Sequence, residues 1–349
     1  MLAVLPVDAK KAKKVRPEDA IYPDKEHGWT YAEPEKYGFS SEKFANLEEY
    51  LIKKTNATGY IVIVGGECIF SYGDLEALSY LASCRKSVLM MLYGKYIENG
   101  TINLDTTIGE LGIDDVEGLL PIERQATIKN ILEARSGIYH PASNAGDSGD
   151  KPERGSKKPG TWWLYNNWDF NVGGTIFEKL THQNIYDALW NDIGSKIDFQ
   201  DWNRKAQRKG GNRRISIHRA YHFYLSTRDM ARLGYLMLRK GHWRDQQVIS
   251  EAWVKNMTAV HSTYNECNRG KNKGKYSYGL WWWLYDVDEY MDNPPELAGA
   301  YSANGAMGQR ICVVPKLDMV IALKTDATYG RRVGEQTWTK ILYDTVGAR

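Results

Sequence analysis

Hydrophobic positions along the chain change period twice. Residues 60–64, Tyr-Ile-Val-Ile-Val, are an apolar β-branched run; Gly65-Gly66 supplies turn chemistry, and 68–73 returns, which predicts a hairpin. Before it, Ser40-Ser41-Glu42-Lys43 carries the start signal of a helix that should end near Lys54. From residue 83 to about 245 the spacing is helical. A helix opens at Ser83; residues 88–97 are apolar and rich in good helix formers, then meet Glu98-Asn99-Gly100 as a stop. Further helices are predicted at 128–135, closed by Ser136-Gly137, at 176–180, and at 229–240, closed by Gly241. Strand signals then return at 278–285, 309–314 and 319–323, bounded by turn residues, and a last helix is predicted at 334–343.

Strands at both ends with helices between them predict a mixed α+β fold: an antiparallel sheet assembled from the two termini, flanked by helices, with an all-α lobe inserted. The expected division is 1–75 and 246–349 for the sheet domain and 76–245 for the helical lobe, with a ligand cleft between them. Residues 1–40, charged and rich in Pro and Gly, read as an extended arm. Residues 141–160 form a long Gly, Ser, Pro and Lys loop. Basic clusters at 204–214 and 269–275 read as solvated loops. No internal repeat is present.

Composition narrows the classes. The chain has 349 residues, long enough for one large core or two lobes, and its 42% hydrophobic and 26% charged residues are ordinary for a globular protein. Twelve Trp and 23 Tyr are an excess, which points to an aromatic-lined cleft or to aromatic cores. A net charge of +3 gives no broad field for nucleic acid or membrane, so neither is an expected partner. Cys68, Cys84, Cys267 and Cys312 are scattered without a C-x-x-C, so neither a zinc site nor a disulfide scaffold is indicated. Residues 1–7 are apolar but short and lack a basic leader, and no apolar run is long enough to span a bilayer. Compartment and oligomeric state stay open.

The chemistry centres on Ser83-Cys84-Arg85-Lys86. Ser83 opens a helix, and residues three apart share a face, so the Lys86 amine can reach the Ser83 hydroxyl. A serine hydroxyl needs a neighbour to take its proton, and lysine serves only if burial or nearby cations favour its neutral form. The helix N-terminus adds positive potential where negative charge would develop. The plain alternative is a serine N-cap followed by a solvated lysine. Cys84, one residue on, points to another face and ranks below Ser83.

Two further stretches join this pair. Residues 160–170 contain Tyr165-x-Asn167 with aromatics on both sides, Trp162 and Trp163 among them. Residues 301–309 place Gly305 and Ala306 in a small-residue run leading into a strand, where a substrate could lie against the strand edge. S-x-x-K, Y-x-N and a Gly-rich strand entry, in this order, resemble the penicillin-recognising serine hydrolases. The branch they are most similar to holds class C β-lactamases, family VIII carboxylesterases and 6-aminohexanoate-dimer hydrolases. Supporting phrases are 94–105, 132–137, 226–234 and 313–315, and the resemblance covers roughly residues 38–345.

What the resemblance implies is a β-lactamase/transpeptidase-like fold and a cofactor-free, metal-free acyl-enzyme mechanism. Ser83 would attack a carbonyl, Lys86 and Tyr165 would share the proton traffic, and Asn167 would orient the substrate or Lys86. The oxyanion would sit between the backbone N–H groups of Ser83 and Ala306. The expected substrate is a small ester or amide. Alternatives are β-lactamase or D-amino-acid peptidase activity, and a non-turnover acylated sensor on the same fold. The sequence departs from the family at Ala303-Asn304-Gly305, where relatives often keep Lys, His or Trp at the first position. Anchoring of a substrate carboxylate there is not expected.

Other motifs carry less. Gly146-Asp147-Ser148-Gly149 sits in polar loop sequence, no G-x-S-x-G elbow exists, and no Glu follows His218 to make a zinc motif with His222. His140, just after Ser136-Gly137, could border the cleft or be hydrogen-bonded structure. In a strand at 278–285, alternation would send Trp281 and Trp283 to one face and Trp282 to the other, so not all three can line a cleft wall.

Overall fold

The computed structural model describes residues 20–144, 146, 151–269, 276–285, 293–326 and 330–349. Lys273 and most of the 269–275 cluster, residues 1–19 of the arm, and Asp147, Ser148 and Gly149 lie outside the described residues. The strands are β1 (Ala57–Val64), β2 (Glu67–Gly73), β3 (Ser79–Tyr80), β4 (Arg208–Gly210), β5 (Ala220–His222) and β6 (Tyr224–Leu225). They continue with β7 (His242–Trp243), β8 (Gln246–Gln247), β9 (Ser277–Tyr278), β10 (Trp283–Leu284), β11 (Tyr301–Gly305), β12 (Gln309–Val314) and β13 (Met319–Thr325). The helices are α1 (Ser41–Lys54), α2 (Cys84–Glu98), α3 (Ile128–Leu132), α4 (Asn167–Thr181) and α5 (Ile185–Ala188). After them come α6 (Thr227–Leu238), α7 (Glu251–Met257), α8 (Tyr264–Cys267) and α9 (Glu335–Val346).

Seven strands form one sheet in the order β2-β1-β13-β12-β11-β10-β9, and every neighbouring pair is antiparallel. The first and last strands of the chain's sheet-forming segments therefore meet, where β1 pairs with β13 (Tyr60 opposite Leu323). Period-two alternation gives this sheet two apolar faces. Cys312 and Val314 of β12, with Tyr60, Val62 and Ile321, face Phe44, Leu47 and Leu51 of α1 and Trp338, Ile341 and Leu342 of α9. Ile311 and Val313, with Ile61, Ile63, Val320 and Ala322, face the core that holds α2 and α6. Gly234 lets α6 lie this close, because a β-carbon there would come within 2.5 Å of Val320 Cγ1. Helix α6 thus covers the sheet, although its residues fall inside the stretch 76–245.

Several elements differ from the sequence expectation. The run 278–285 is a tight hairpin instead of one strand: Gly279 N donates to Trp282 O at 2.9 Å and Trp281 has φ +60°. The alternation argument for its tryptophans therefore fails. Trp281 packs edge-on to Phe170 at 5.1 Å and Trp282 edge-on to Tyr301 at 5.5 Å, both buried, and Trp283 is the partly exposed one. Helix α4 runs nine residues further toward the N-terminus than 176–180, because Asn166 caps Trp168 N at 3.3 Å and Gly173 and Gly174 admit the rings of Trp281 and Tyr221. The helical stretch also contains the two ladders β3-β6 and β4-β5, too short for a period to register. Residues 20–40 are packed on the molecule, with Trp29 buried against Tyr235 at 5.5 Å.

Helix α2 has buried residues on every side, Arg85, Lys86 and Ser87 included, as expected of a helix enclosed by a domain. Among the described residues no helix is long and apolar enough to cross a membrane.

Candidate active site

The chain enters α2 through a constrained turn. Leu81 N donates to Phe223 O at 3.0 Å, and Ala82 adopts φ +48°, a conformation that costs a non-glycine residue on the order of 1–3 kcal/mol. Lys324 of β13 braces this entry from below. Its buried amine, pushed down to about 7 by burial, donates to Ser79 O at 2.9 Å and to Leu225 O, linking β3 and β6 to the main sheet. Ser83 follows as the N-cap residue, but its side chain makes no capping bond. The plain serine-cap reading is thereby excluded, and Lys86 is 1% exposed, so the lysine is not solvated.

Lys86 gathers the site. Its Nζ donates to Ser83 Oγ at 3.1 Å, to Tyr165 Oη at 2.6 Å and to Asn167 Oδ1 at 2.7 Å. A neutral amine has two N–H groups and one lone pair. An ammonium can donate to all three oxygens; once it is neutral and keeps its bonds to Tyr165 and Asn167, its lone pair would face the Ser83 hydroxyl, which is the arrangement a general base requires. The rings of Tyr165 and Phe170 each lie 4.1 Å from Nζ. Tyr165 precedes α4 and Asn167 is its first residue, so the Asn166 cap that starts the helix also sets the spacing of the pair. Burial pushes the Tyr165 phenol up to about 12, offset in part by the Ser83 hydroxyl and the Arg85 charge. At neutral pH the phenol therefore keeps its proton.

Cys84 lies on another face of α2. Its thiol donates toward Ala303 O at 3.3 Å and Gln309 O at 3.4 Å, and burial pushes it up to about 12. That environment suits an inert structural thiol, not a nucleophile.

The end of β11 abuts the nucleophile turn. A β-carbon on Gly305 would lie 2.6 Å from Leu81 O and 3.2 Å from Ala82 Cβ, so glycine is needed for this approach. Arg310 Nη1 donates to Gly305 O at 2.8 Å, and Thr325 Oγ1 to Met307 O at 2.8 Å. These bonds fix the turn carrying Ala306, which is exposed. Ala303 is fully buried, opposite Ile311, and offers no donor.

One side of the site is aromatic. Trp283 stacks on Tyr165 at 5.4 Å, and Trp163, itself buried, meets Tyr278 at 5.4 Å and Trp283 at 6.4 Å. Trp162 lies beside the cations Lys157 and Arg269, 4.4 and 4.6 Å from its ring. His140 does not join the cleft. It is buried, and its ring nitrogens bond Val116 O at 2.7 Å and Pro141 O at 2.8 Å, near the buried Asp115. Both nitrogens face loop carbonyls. Sequence reasoning missed Lys324 and the strained Ala82, neither of which leaves a local signal, and passed over Arg85 although it stands inside the motif.

Among the described residues no group of three His, Cys, Asp or Glu side chains is disposed to hold a metal ion. The sequence matches the family model described as Beta-lactamase over residues 51–344. The fold is shared with a Bacillus anthracis protein assigned as a 6-aminohexanoate-dimer hydrolase, at 17% identity and TM-score 0.67, over 93% of this chain and 89% of that one. EstCE1, a hydrolase with promiscuous acyltransferase activity, aligns at 12% identity and TM-score 0.65 over 90% and 98% of the two chains. A β-lactamase from Mycobacterium bovis aligns at 18% identity and TM-score 0.61 over 86% and 98%. At these identities the likeness speaks for the fold. No curated protein matches the sequence.

Proposed function

The chain belongs to the β-lactamase family, whose members are serine hydrolases, and from that premise we propose that it cleaves a small carboxylic ester or amide through an acyl-enzyme on Ser83. The observation that carries this reading is the buried Lys86 amine, 3.1 Å from the Ser83 hydroxyl and held by Tyr165 and Asn167. Lys86 takes the hydroxyl proton as Ser83 Oγ attacks the carbonyl carbon. The oxyanion is received by the N–H groups of Ser83 and Ala306, one at a helix N-terminus and one on a braced turn. Tyr165, protonated at neutral pH, passes a proton to the leaving group. Water, activated by the same pair, then releases the acyl group. Trp283 and Trp163 supply an apolar wall for the acyl or alcohol portion.

A fluorophosphonate probe followed by peptide mapping tests the nucleophile: the label is expected on Ser83, and a label elsewhere or none would overturn the reading. Turnover of a p-nitrophenyl ester separates an enzyme from an acylated sensor, which would give one burst and stop.

Substrate charge provides a second test. Ala303 occupies the place where carboxylate-binding relatives keep a cationic or hydrogen-bonding side chain, and it is buried without a donor. Arg208 is engaged elsewhere, stacked 4.2 Å over Tyr224 and bonded to Ala206 O. A charge-assisted hydrogen bond contributes about 1.5–3 kcal/mol, so its absence costs roughly tenfold to a hundredfold. A neutral ester is therefore expected to exceed a cephalosporin in kcat/KM by at least about tenfold. A cephalosporin value equal to the ester's would mean that another residue anchors the carboxylate.

A further inference from the structure

We propose that Arg85 is a positioning residue for this chemistry: its buried positive charge favours the uncharged amine of its neighbour Lys86, the form that can accept the Ser83 proton. The proposal rests on the reading of Ser83 and Lys86 given above. Its geometry is a paired ladder between two helices. Lys86 donates to Asn167 Oδ1 at 2.7 Å, and Arg85 Nη2 donates to Asn171 Oδ1 at 2.8 Å. Asn167 and Asn171 are one turn apart on α4, so consecutive basic side chains of α2 are tied to successive turns of the same partner helix.

The guanidinium is 2% exposed. Among the described residues no carboxylate pairs with it, and its Nη1 has no hydrogen-bond partner. What faces it is neutral: the Tyr221 ring 4.4 Å away and the Asn171 amide, itself donating to Asn144 and Ser143. Burying an arginine without a counter-charge is costly. A link between α2 and α4 alone could be made by glutamine, without a charge to bury. The cost has a function if the charge acts on what stands beside it.

Among the described residues the titratable groups that sense Arg85 are neutral. Tyr80 of β3, Tyr165 before α4, Tyr186 of α5 and Tyr221 of β5 all sense Arg85, and burial pushes each phenol up. His222 of β5 is pushed down to about 4 by burial and then by Arg85, Arg208 and Arg219, so it is neutral as well. Tyr278 of β9 and Cys84 of α2 are also pushed up by burial. Lys324 of β13, below the turn, is pushed down to about 7 by burial, so its charge changes near neutral pH. On α4, Asp169 accepts from Ser136 and Asn166.

The sign follows directly. A nearby positive charge disfavours a second one, so removing Arg85 makes Lys86 hold its proton to higher pH. If Tyr165 rather than Lys86 took the serine proton, loss of Arg85 would move its ionisation the same way, since the cation stabilises a phenolate.

The test is the pH profile of Ser83 acylation by p-nitrophenyl acetate, with melting temperatures, for wild type, Arg85→Met, Arg85→Gln and Arg85→Lys. Arg85→Met is expected to move the acid limb up by about one pH unit, a loss of roughly tenfold on that limb that recovers on the plateau at higher pH. Arg85→Lys, which keeps the charge, should hold the wild-type limb. Arg85→Gln keeps a donor toward Asn171 and carries the same test if the methionine variant does not fold. An unmoved limb with the same loss at every pH would reduce Arg85 to packing and overturn the proposal. Wild type that is not labelled at Ser83 would instead remove the reading on which the proposal stands.

Discussion

Ser83→Ala is expected to lower kcat/KM on a p-nitrophenyl ester by at least about 10⁴-fold, the scale seen when a covalent nucleophile is removed from a serine hydrolase. The fold should not notice. Ser83 makes no side-chain capping bond, so the roughly 1 kcal/mol that a serine cap would contribute is not lost here. Lys86 keeps Tyr165 and Asn167 as acceptors. Thermal unfolding should therefore shift by less than about 0.5 kcal/mol. Turnover and melting temperature on the same preparation decide the matter. A variant that still turns over the ester would remove Ser83 from the mechanism, and one that loses both turnover and fold would leave the loss without meaning for chemistry.

The parts of this protein that were legible in its sequence are those written in a local code. β12 at 309–314 and the hairpin of β1 and β2 announce themselves because β-branched runs bounded by turn residues have few other uses. Ser83 and Lys86 were legible because helical spacing alone puts them on one face. What the sequence hid was set by packing. The Trp281 to Trp283 run looks like a strand by composition, yet Trp281 takes φ +60° because its ring fills the space above Gly173 and its neighbours close a hairpin. Helix α4 was cut short in the reading because Gly173 and Gly174 are poor helix formers, and only the aromatic rings seated on them show why glycine is there. Lys324, next to last in an apolar strand, gave no sign that it reaches the carbonyls of Ser79 and Leu225. Burial decided His140, which a sequence alone cannot distinguish from a cleft residue.

Replacing Lys86 by methionine is expected to slow acylation of Ser83 by about 10² to 10⁴-fold, the range that a positioned general base supplies. Methionine keeps most of the side-chain volume in a position that is 1% exposed, so the comparison isolates the amine from the packing. Tyr165→Phe offers the contrast. With its phenol pushed up to about 12, Tyr165 holds its proton at pH 7, so it cannot be the resting acceptor. Its loss should fall more heavily on steps that need a donor than on attack by Ser83. The expected order for fluorophosphonate labelling at pH 7 is wild type, then Tyr165→Phe, then Lys86→Met. The pH dependence gives the sign: labelling by wild type should rise with pH as Lys86 loses its proton, and the methionine variant should lose that limb and follow only the slow ionisation of the serine itself. If Lys86→Met labels at the wild-type rate while Tyr165→Phe does not, the acceptor is the phenol, and the lysine, with its bond of 2.6 Å to Tyr165 Oη, serves to lower the cost of ionising it.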